Sequence, residues 1–460
     1  MSVKRDLVHQ FADHAGCVRY DTLPPQAADA AKKSILDTIG VILAASNLEP
    51  SVRSIIDLVR ECKGVEEASV LGFGGRAPAI MASLANGALA HCLDYDDQTP
   101  WGQHCASSIV PAVLAVAERQ GGVDGRELIS AVAAGQDIFC RLRCNIEWEK
   151  DWNLSTVLAV FAAAAAAGRV MGLEPVRIAH AMGIASMQSS GIMEMIAGRG
   201  SDLRGMYAAF SAHGAVLAAL MALKGVTGID HLFEGRYGVF NTYFRGRFSA
   251  EAMVADLGSD FFGSRTLYKR WPCVGTAHSH MKAAIDIVCE EDLGPADIRE
   301  IKLHVGDYHN LMCRPLEERR KPATLADAKF SLPFLVAVAI VRRGMSVTDF
   351  TEAGLRDPQV LGIAAKIDLV ADAALDWKLD LPPGRVEIVA MDGRRWMREG
   401  QRVPGNADNP MSWDDLGAKF AECASVSVNP PSADTVARVQ EMARGLEHLP
   451  DATALIRALA

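Results

Sequence analysis

Along most of this chain, apolar residues return every three or four positions, the spacing of one helical face. Over 26–46, Ile35, Leu36, Ile39, Ile42 and Leu43 fall on one side. The same period predicts helices over 78–93, 108–120, 126–143, 155–171, 175–189 and 203–224. Asp124 with Glu127 reads as a capping box and Ser155 as an N-cap. Pro78 and Pro175 sit where a first-turn proline is tolerated. The Ala162–Ala167 run carries only methyl side chains, so it predicts a core helix that its neighbours approach closely.

The period changes near Arg265. Ile301, Leu303 and Val305 alternate with Lys302 and His304, which predicts a half-buried strand over 299–308. Val386, Ile388 and Ala390 lead into Asp392-Gly393 and then Trp396, a hairpin over 384–398. Between them, 324–343 has helical spacing with Pro333 as a kink. Helical patterning resumes over 413–424 and 432–446. The predicted fold is mainly α with an α+β part. A large all-helical domain, 1–265 and 404–460, is interrupted by a smaller α+β domain with an antiparallel sheet, 266–403.

Composition narrows the function classes. The 460 residues are 50% hydrophobic and 22% charged, ordinary for a globular enzyme. A net charge of −9 gives no reason to expect nucleic-acid binding. The start, MSVKRDLVHQFADH, lacks the apolar core of a signal peptide. The apolar run near 157–168 is too short to span a bilayer comfortably, so no membrane segment and a cytoplasmic location are expected. The ten cysteines include no CxxC pair, with Cys140 and Cys144 the closest, so reduced thiols are expected rather than a zinc ribbon or iron–sulfur cluster.

Candidate chemistry concentrates at 88–108, which holds His91, Asp94, Asp96, Asp97 and His104. Carboxylates at the C-terminal end of a helix oppose its dipole, so nearby cations, a metal or catalysis should compensate. The residue types suit a transition metal, but their spacing matches no familiar ligand motif, and no metal is predicted. His278 and His280 would share a face only in a strand. Lys269 and Arg270, beside Trp271 and Pro272 at the domain junction, suit binding of a substrate carboxylate. Arg204 and Tyr207 share a helical face near Arg199, an arrangement suited to an anion. In the charged stretch 308–331, Tyr308 and Arg314 are the candidate contributors. There is no GxSxG, no P-loop and no GxGxxG after a strand; the Gly72–Gly75 cluster is none of these.

Three segments, NGALAHCLDYDD (Asn86–Asp97) with His104 following, LYKRWPCVGTAHSH (Leu267–His280) and DAKFSLPF (Asp327–Phe334), resemble the MmgE/PrpD family in order along nearly the whole chain. The resemblance implies a helical domain with a lid-like α+β domain, a homodimer, and catalysis without metal or organic cofactor. It implies a small anionic carboxylate substrate, handled by proton movement at the carbon next to the carboxylate. Asp94, His104 and Lys269 match family active-site positions. Gln98 and Asn153 stand where decarboxylating members have threonine and histidine, and Leu203 or Arg204 where they have lysine. Leu311, rather than Tyr308, aligns with their tyrosine.

The expected activity is a dehydratase-type lyase like 2-methylcitrate dehydratase. A two-base epimerase and a non-catalytic carboxylate-binding relative are the alternatives. His104 is the expected general acid/base, oriented or tuned by Asp94. Lys269, Arg204 and Arg270 would hold carboxylates, and Tyr207 or Tyr308 would deliver a proton from the opposite face.

Overall fold

A computed structural model describes residues 5–197 and 201–459. Two hydrophobic cores organise them. The larger gathers helices from Leu7 to about Tyr268 and is completed by Met411–Ile456. The smaller gathers Trp271–Val403. The chain thus leaves the helical core once and returns to it: Trp413–Ser425 packs on Pro25–Leu48, with Phe420 against Gly40.

Small residues set the helix spacing. The Ala79–His91 helix lies against Ala208–Leu223 so closely that a Cβ at Gly87 would sit 2.9 Å from the Ala209 Cα. The alanine run forms part of the Ala159–Val170 helix, every residue of which is buried. Among the described residues no single helix is long and apolar enough to cross a membrane.

The capping expectations change in a telling way. Asp124 does cap Gly125–Cys144 by accepting from the Glu127 N–H, but the Glu127 carboxylate turns away to Arg169 at 2.9 Å. Asn153, not Ser155, is the N-cap of Leu154–Val157, and it accepts from the Thr156 N–H. The predicted 155–171 and 203–224 helices are each divided, at Leu158 and at Tyr207.

The smaller core is built on a four-stranded sheet. Ile298–Val305 pairs antiparallel with Arg385–Ala390, which pairs antiparallel with Arg395–Glu399, the predicted hairpin. Ile367–Ala371 joins the other edge in parallel, Ile301 opposite Ile367, so the sheet is mixed rather than wholly antiparallel. That strand is short and half-exposed, with no clean alternation to reveal it. Ile301, Leu303 and Val305 face the core as expected. Pro333 does not kink one helix. It stands in the first turn of Leu332–Arg342, a separate helix from Leu325–Lys329, where its missing N–H costs nothing.

Candidate active site

A cavity lies where the two cores meet. The helical part contributes His91, Asp94, Gln98, Gln103, His104 and Asn153; the smaller part contributes Thr276, Tyr308, Met312, Phe330 and Trp377. The Ala79–His91 helix ends just before the acidic cluster, and Asp94 follows with φ +50°. An aspartate tolerates that left-handed backbone better than most residues.

Three buried lysines hold this loop from three directions. Lys329, from the smaller part, donates to the Cys92 carbonyl at 3.0 Å and pairs with Glu49 at 2.9 Å. Lys269, at the junction, donates to the Asp94 carbonyl at 2.8 Å and to its Oδ1 at 2.5 Å. Lys419, from the returning C-terminal helix, donates to the Tyr95 carbonyl at 2.7 Å and pairs with Asp37 at 2.6 Å. These ammonium groups satisfy carbonyls beyond the helix end and offset the unfavourable dipole there. Each has its own carboxylate, so none is a lone buried charge.

His104 is held on its Nδ1 side. Nδ1 lies 2.6 Å from the Asp97 carbonyl and 3.3 Å from Asp96 Oδ2, both acceptors, so Nδ1 carries the proton. Nε2 is left as the basic nitrogen, 3.7 Å from Asp94 Oδ1. The His104 backbone N–H donates to Ser155 Oγ at 3.1 Å, the role Ser155 takes instead of capping. Asp96 also receives His91 Nδ1 at 3.0 Å, and the two imidazoles meet edge to face. Burial is the largest single influence on the His104 pKa and depresses it, but Asp96 and Asp94 together leave the pKa raised. Asp96 is fully buried, yet the two histidines hold its carboxyl well below the usual range. Asp97 has no such partner, and burial beside Asp96 and Asp37 pushes it up to about 7.

The buried Arg204 guanidinium lies over Phe330, 3.5 Å from the ring centroid. Its Nε has no hydrogen-bond partner, and no carboxylate among the described residues pairs with it. Burial pulls its pKa down to about 10, which still leaves it charged at neutral pH. Tyr207 stacks on His91, 4.1 Å between centroids, and Tyr308 stands edge-on to Trp377. Burial raises both phenols, Tyr308 to about 12, so both stay protonated.

The structure therefore gathers Asp94, Gln98, His104, Asn153, Arg204, Tyr207 and Tyr308 around one cavity, with Lys269 behind Asp94. Arg270 and Arg314 are exposed and do not line it; Arg314 donates to Asn310 instead. Arg199 lies outside the described residues. Sequence reasoning placed His91 and Asp96 in the cluster without a role, and missed Gln103, Phe330 and Trp377. Nothing local in the sequence marks those three, because topology alone brings them to the cavity. His278 and His280 are buried and bonded to the carbonyls of Trp271 and His304, and neither lines the cavity.

His91, Asp94, Asp96 and His104 present donor atoms within 4.8 Å of one another, close enough to hold a metal ion. Some of their donor atoms are engaged and some are open: Asp94 Oδ2 has no hydrogen-bond partner, and His104 Nε2 is left free. Lys269 occupies Asp94 Oδ1, and Asp96 receives the Nδ1 atoms of both imidazoles, so the carboxylates already have cationic or N–H partners.

Residues 9–251 match the MmgE/PrpD N-terminal domain, and residues 271–445 match the MmgE/PrpD C-terminal domain. The chain is 25% identical to a cis-aconitate decarboxylase of Aspergillus terreus, covering 100% of this chain and 96% of that one. It is 22% identical to the Homo sapiens cis-aconitate decarboxylase, over 99% and 95% of the two chains. It is 22% identical to the 2-methylcitrate dehydratase of Cupriavidus necator, over 78% and 76%. With both domain patterns matched in order around one shared cavity, the chain belongs to the MmgE/PrpD family.

Proposed function

We propose that this protein is a cofactor-independent lyase of the dehydratase type, acting on a small di- or tricarboxylate. One observation carries the reading: a buried, charged Arg204 without a carboxylate faces the same cavity as the free Nε2 of His104. An unpaired buried guanidinium is costly, and a substrate carboxylate supplies the missing bidentate partner. The relatives named for cis-aconitate and 2-methylcitrate support the same class of substrate.

In the proposed reaction the substrate carboxylate docks on Arg204. His104 Nε2 removes the proton from the neighbouring carbon. The electron pair of that C–H bond forms a carbon–carbon double bond, and the adjacent C–O bond breaks. The departing hydroxide takes a proton from Tyr207 or Tyr308 and leaves as water. Asp94, 3.7 Å from Nε2, stabilises the imidazolium, and Lys269 fixes Asp94. Asp96 and the Asp97 carbonyl keep the imidazole in its reactive tautomer.

Exposed apolar side chains between 186 and 237, notably Met187 at 80% and Tyr237 at 81% exposure, fit a homodimer face. The ten free thiols fit a reducing compartment such as the cytoplasm. Proton NMR in D₂O with methylcitrate, citrate, malate, cis-aconitate and iminodisuccinate tests the activity. New olefinic signals from a hydroxy acid are expected. Deuterium exchange without olefin means epimerisation, and loss of CO₂ means decarboxylation. Binding without any turnover means a non-catalytic carboxylate binder.

A further inference from the structure

Arg143 closes the last turn of Gly125–Cys144 and is 2% exposed. It has no carboxylate within ion-pair distance among the described residues. Arg141, two residues earlier, has Asp137 at 2.8 Å. Arg143 Nε instead donates to Gln103 Oε1, and a terminal nitrogen donates to the Trp101 carbonyl at 3.2 Å. Its guanidinium lies 5.6 Å from the ring centroid of Trp148, which lines the cavity. Burial lowers its pKa to about 10, so the charge persists at neutral pH.

Gln103 stands between this charge and the cavity. An arginine N–H can only donate, so the Gln103 oxygen must face Arg143. Its Nε2 and two hydrogens are then left for the cavity, where no described residue accepts them. Asn153 is fixed by the same logic. Its Oδ1 caps a helix by accepting from the Thr156 N–H at 3.2 Å, which leaves Nδ2 to the cavity it lines. Two amides are thus locked as donors, one of them backed by an unneutralised cation. Such a wall wants an acceptor carrying negative charge.

We propose that Gln103 and Asn153, with Arg143 behind Gln103, form a second carboxylate subsite separate from Arg204. The proposal rests on the polycarboxylate reading above and adds how the second carboxylate is recognised. Gln103 contacts the ligand, and Arg143 is a positioning residue that sets the amide and lends it charge.

The test compares glutarate with pentanoate, the same five-carbon chain with one carboxylate replaced by a methyl. Affinities are taken from chemical-shift titrations of the full-length protein. The wild type should favour glutarate about tenfold or more. Gln103→Leu should erase that preference while leaving pentanoate unchanged. Gln103→Glu should reject glutarate further, by setting carboxylate against carboxylate. Arg204→Met should weaken both ligands alike. Arg143→Met is added where its melting curve shows a folded protein, and it should reproduce Gln103→Leu; the Gln103 variants keep Arg143, so the test does not depend on it.

A glutarate preference that survives Gln103→Leu overturns the subsite and leaves Arg143 as a scaffold for Trp101. Equal loss of both ligands in Gln103→Leu does the same. If the wild type binds neither acid nor any polycarboxylate of the NMR panel, the underlying carboxylate reading falls, and the subsite falls with it.

Discussion

The two walls of the cavity are built on opposite terms. The helical wall is charged and saturated: Asp94, Asp96, His91 and His104 lie in a buried net where nearly every proton position is fixed by a neighbour. The wall from the smaller part, with Leu311, Met312, Phe330 and Trp377, is largely apolar and aromatic, and Tyr308 supplies its titratable group. Chemistry that needs a defined tautomer belongs on the first. Shape selection belongs on the second, where side chains can change without disturbing the proton net.

The sharpest way to break the comparison is His104→Ala. Loss of the general base should lower kcat by about 10³-fold, with carboxylate binding at Arg204 retained. Unchanged turnover in a steady-state assay would remove the chemistry from the helical wall. Asp96→Asn should cost about 10- to 100-fold, as removal of an orienting partner does. It should also move the pH profile. The base must be unprotonated, so activity rises through the His104 pKa, which Asp96 holds above 6.5. Without that carboxylate the acidic limb of kcat/KM should shift to lower pH; a limb that stays put would mean Asp96 only fills space.

The clamp on the Cys92–Tyr95 loop joins the walls, and Lys329 is its link from the smaller part. Lys329→Met would strand Glu49 and the Cys92 carbonyl. Breaking a buried pair in this way costs about 3–5 kcal/mol, seen as a lowered unfolding midpoint, and kcat should fall about tenfold with KM little changed. By contrast, Trp377→Leu on the apolar wall should raise KM or alter substrate ranking less than about tenfold. It should leave the pH profile in place. A shifted profile in Trp377→Leu would erase the proposed division of labour.

These relations set the limit of what the sequence discloses. Helices with a buried stripe, such as Pro25–Leu48 and Trp413–Ser425, were legible because burial writes a period into the chain. So was the strand around Leu303. The parallel edge strand Ile367–Ala371 was not, because its exposed, short run carries no alternation. At the site, the acidic cluster was visible as local density, but the partners of its members were not. Lys329 and Lys419 lie more than two hundred residues from the Cys92 and Tyr95 carbonyls they hold. Whether Asp94 or Asp96 orients His104 depends on which imidazole nitrogen each one faces, and residue spacing contains no such information. Arg270 looked equivalent to Lys269 in sequence, yet adjacent residues in an extended stretch point to opposite sides, and only Lys269 is buried.

The smallest effect concerns Asp97, the carboxylate of the charged wall that lacks a cation. Burial, aided by Asp96 and Asp37, raises its pKa from 3.8 to about 7. The folded protein therefore binds more protons than the unfolded chain between those values, and stability falls as pH rises through that window. His104 acts in the same direction. Its raised pKa lends stability that is complete below 6.5 and is lost as pH climbs through the folded value. Asp96, held far below 3.8, adds no slope between pH 5 and 8. Burial holds His278, His280 and His309 at about 3, 3 and 4, so they pull the other way below 6.5, and the Asp97 share is read as the difference between variant and wild type from pH 5 to pH 8. Asp97→Asn keeps an oxygen for the Ala106 N–H, 3.2 Å away, and removes the ionisation. Its stability relative to wild type should rise from pH 5 to pH 8, and it should be the more stable of the two at pH 8. An unchanged slope would mean that Asp97 is ionised in the folded state across the whole range, and that the helical wall tolerates a buried charge its neighbours do not neutralise.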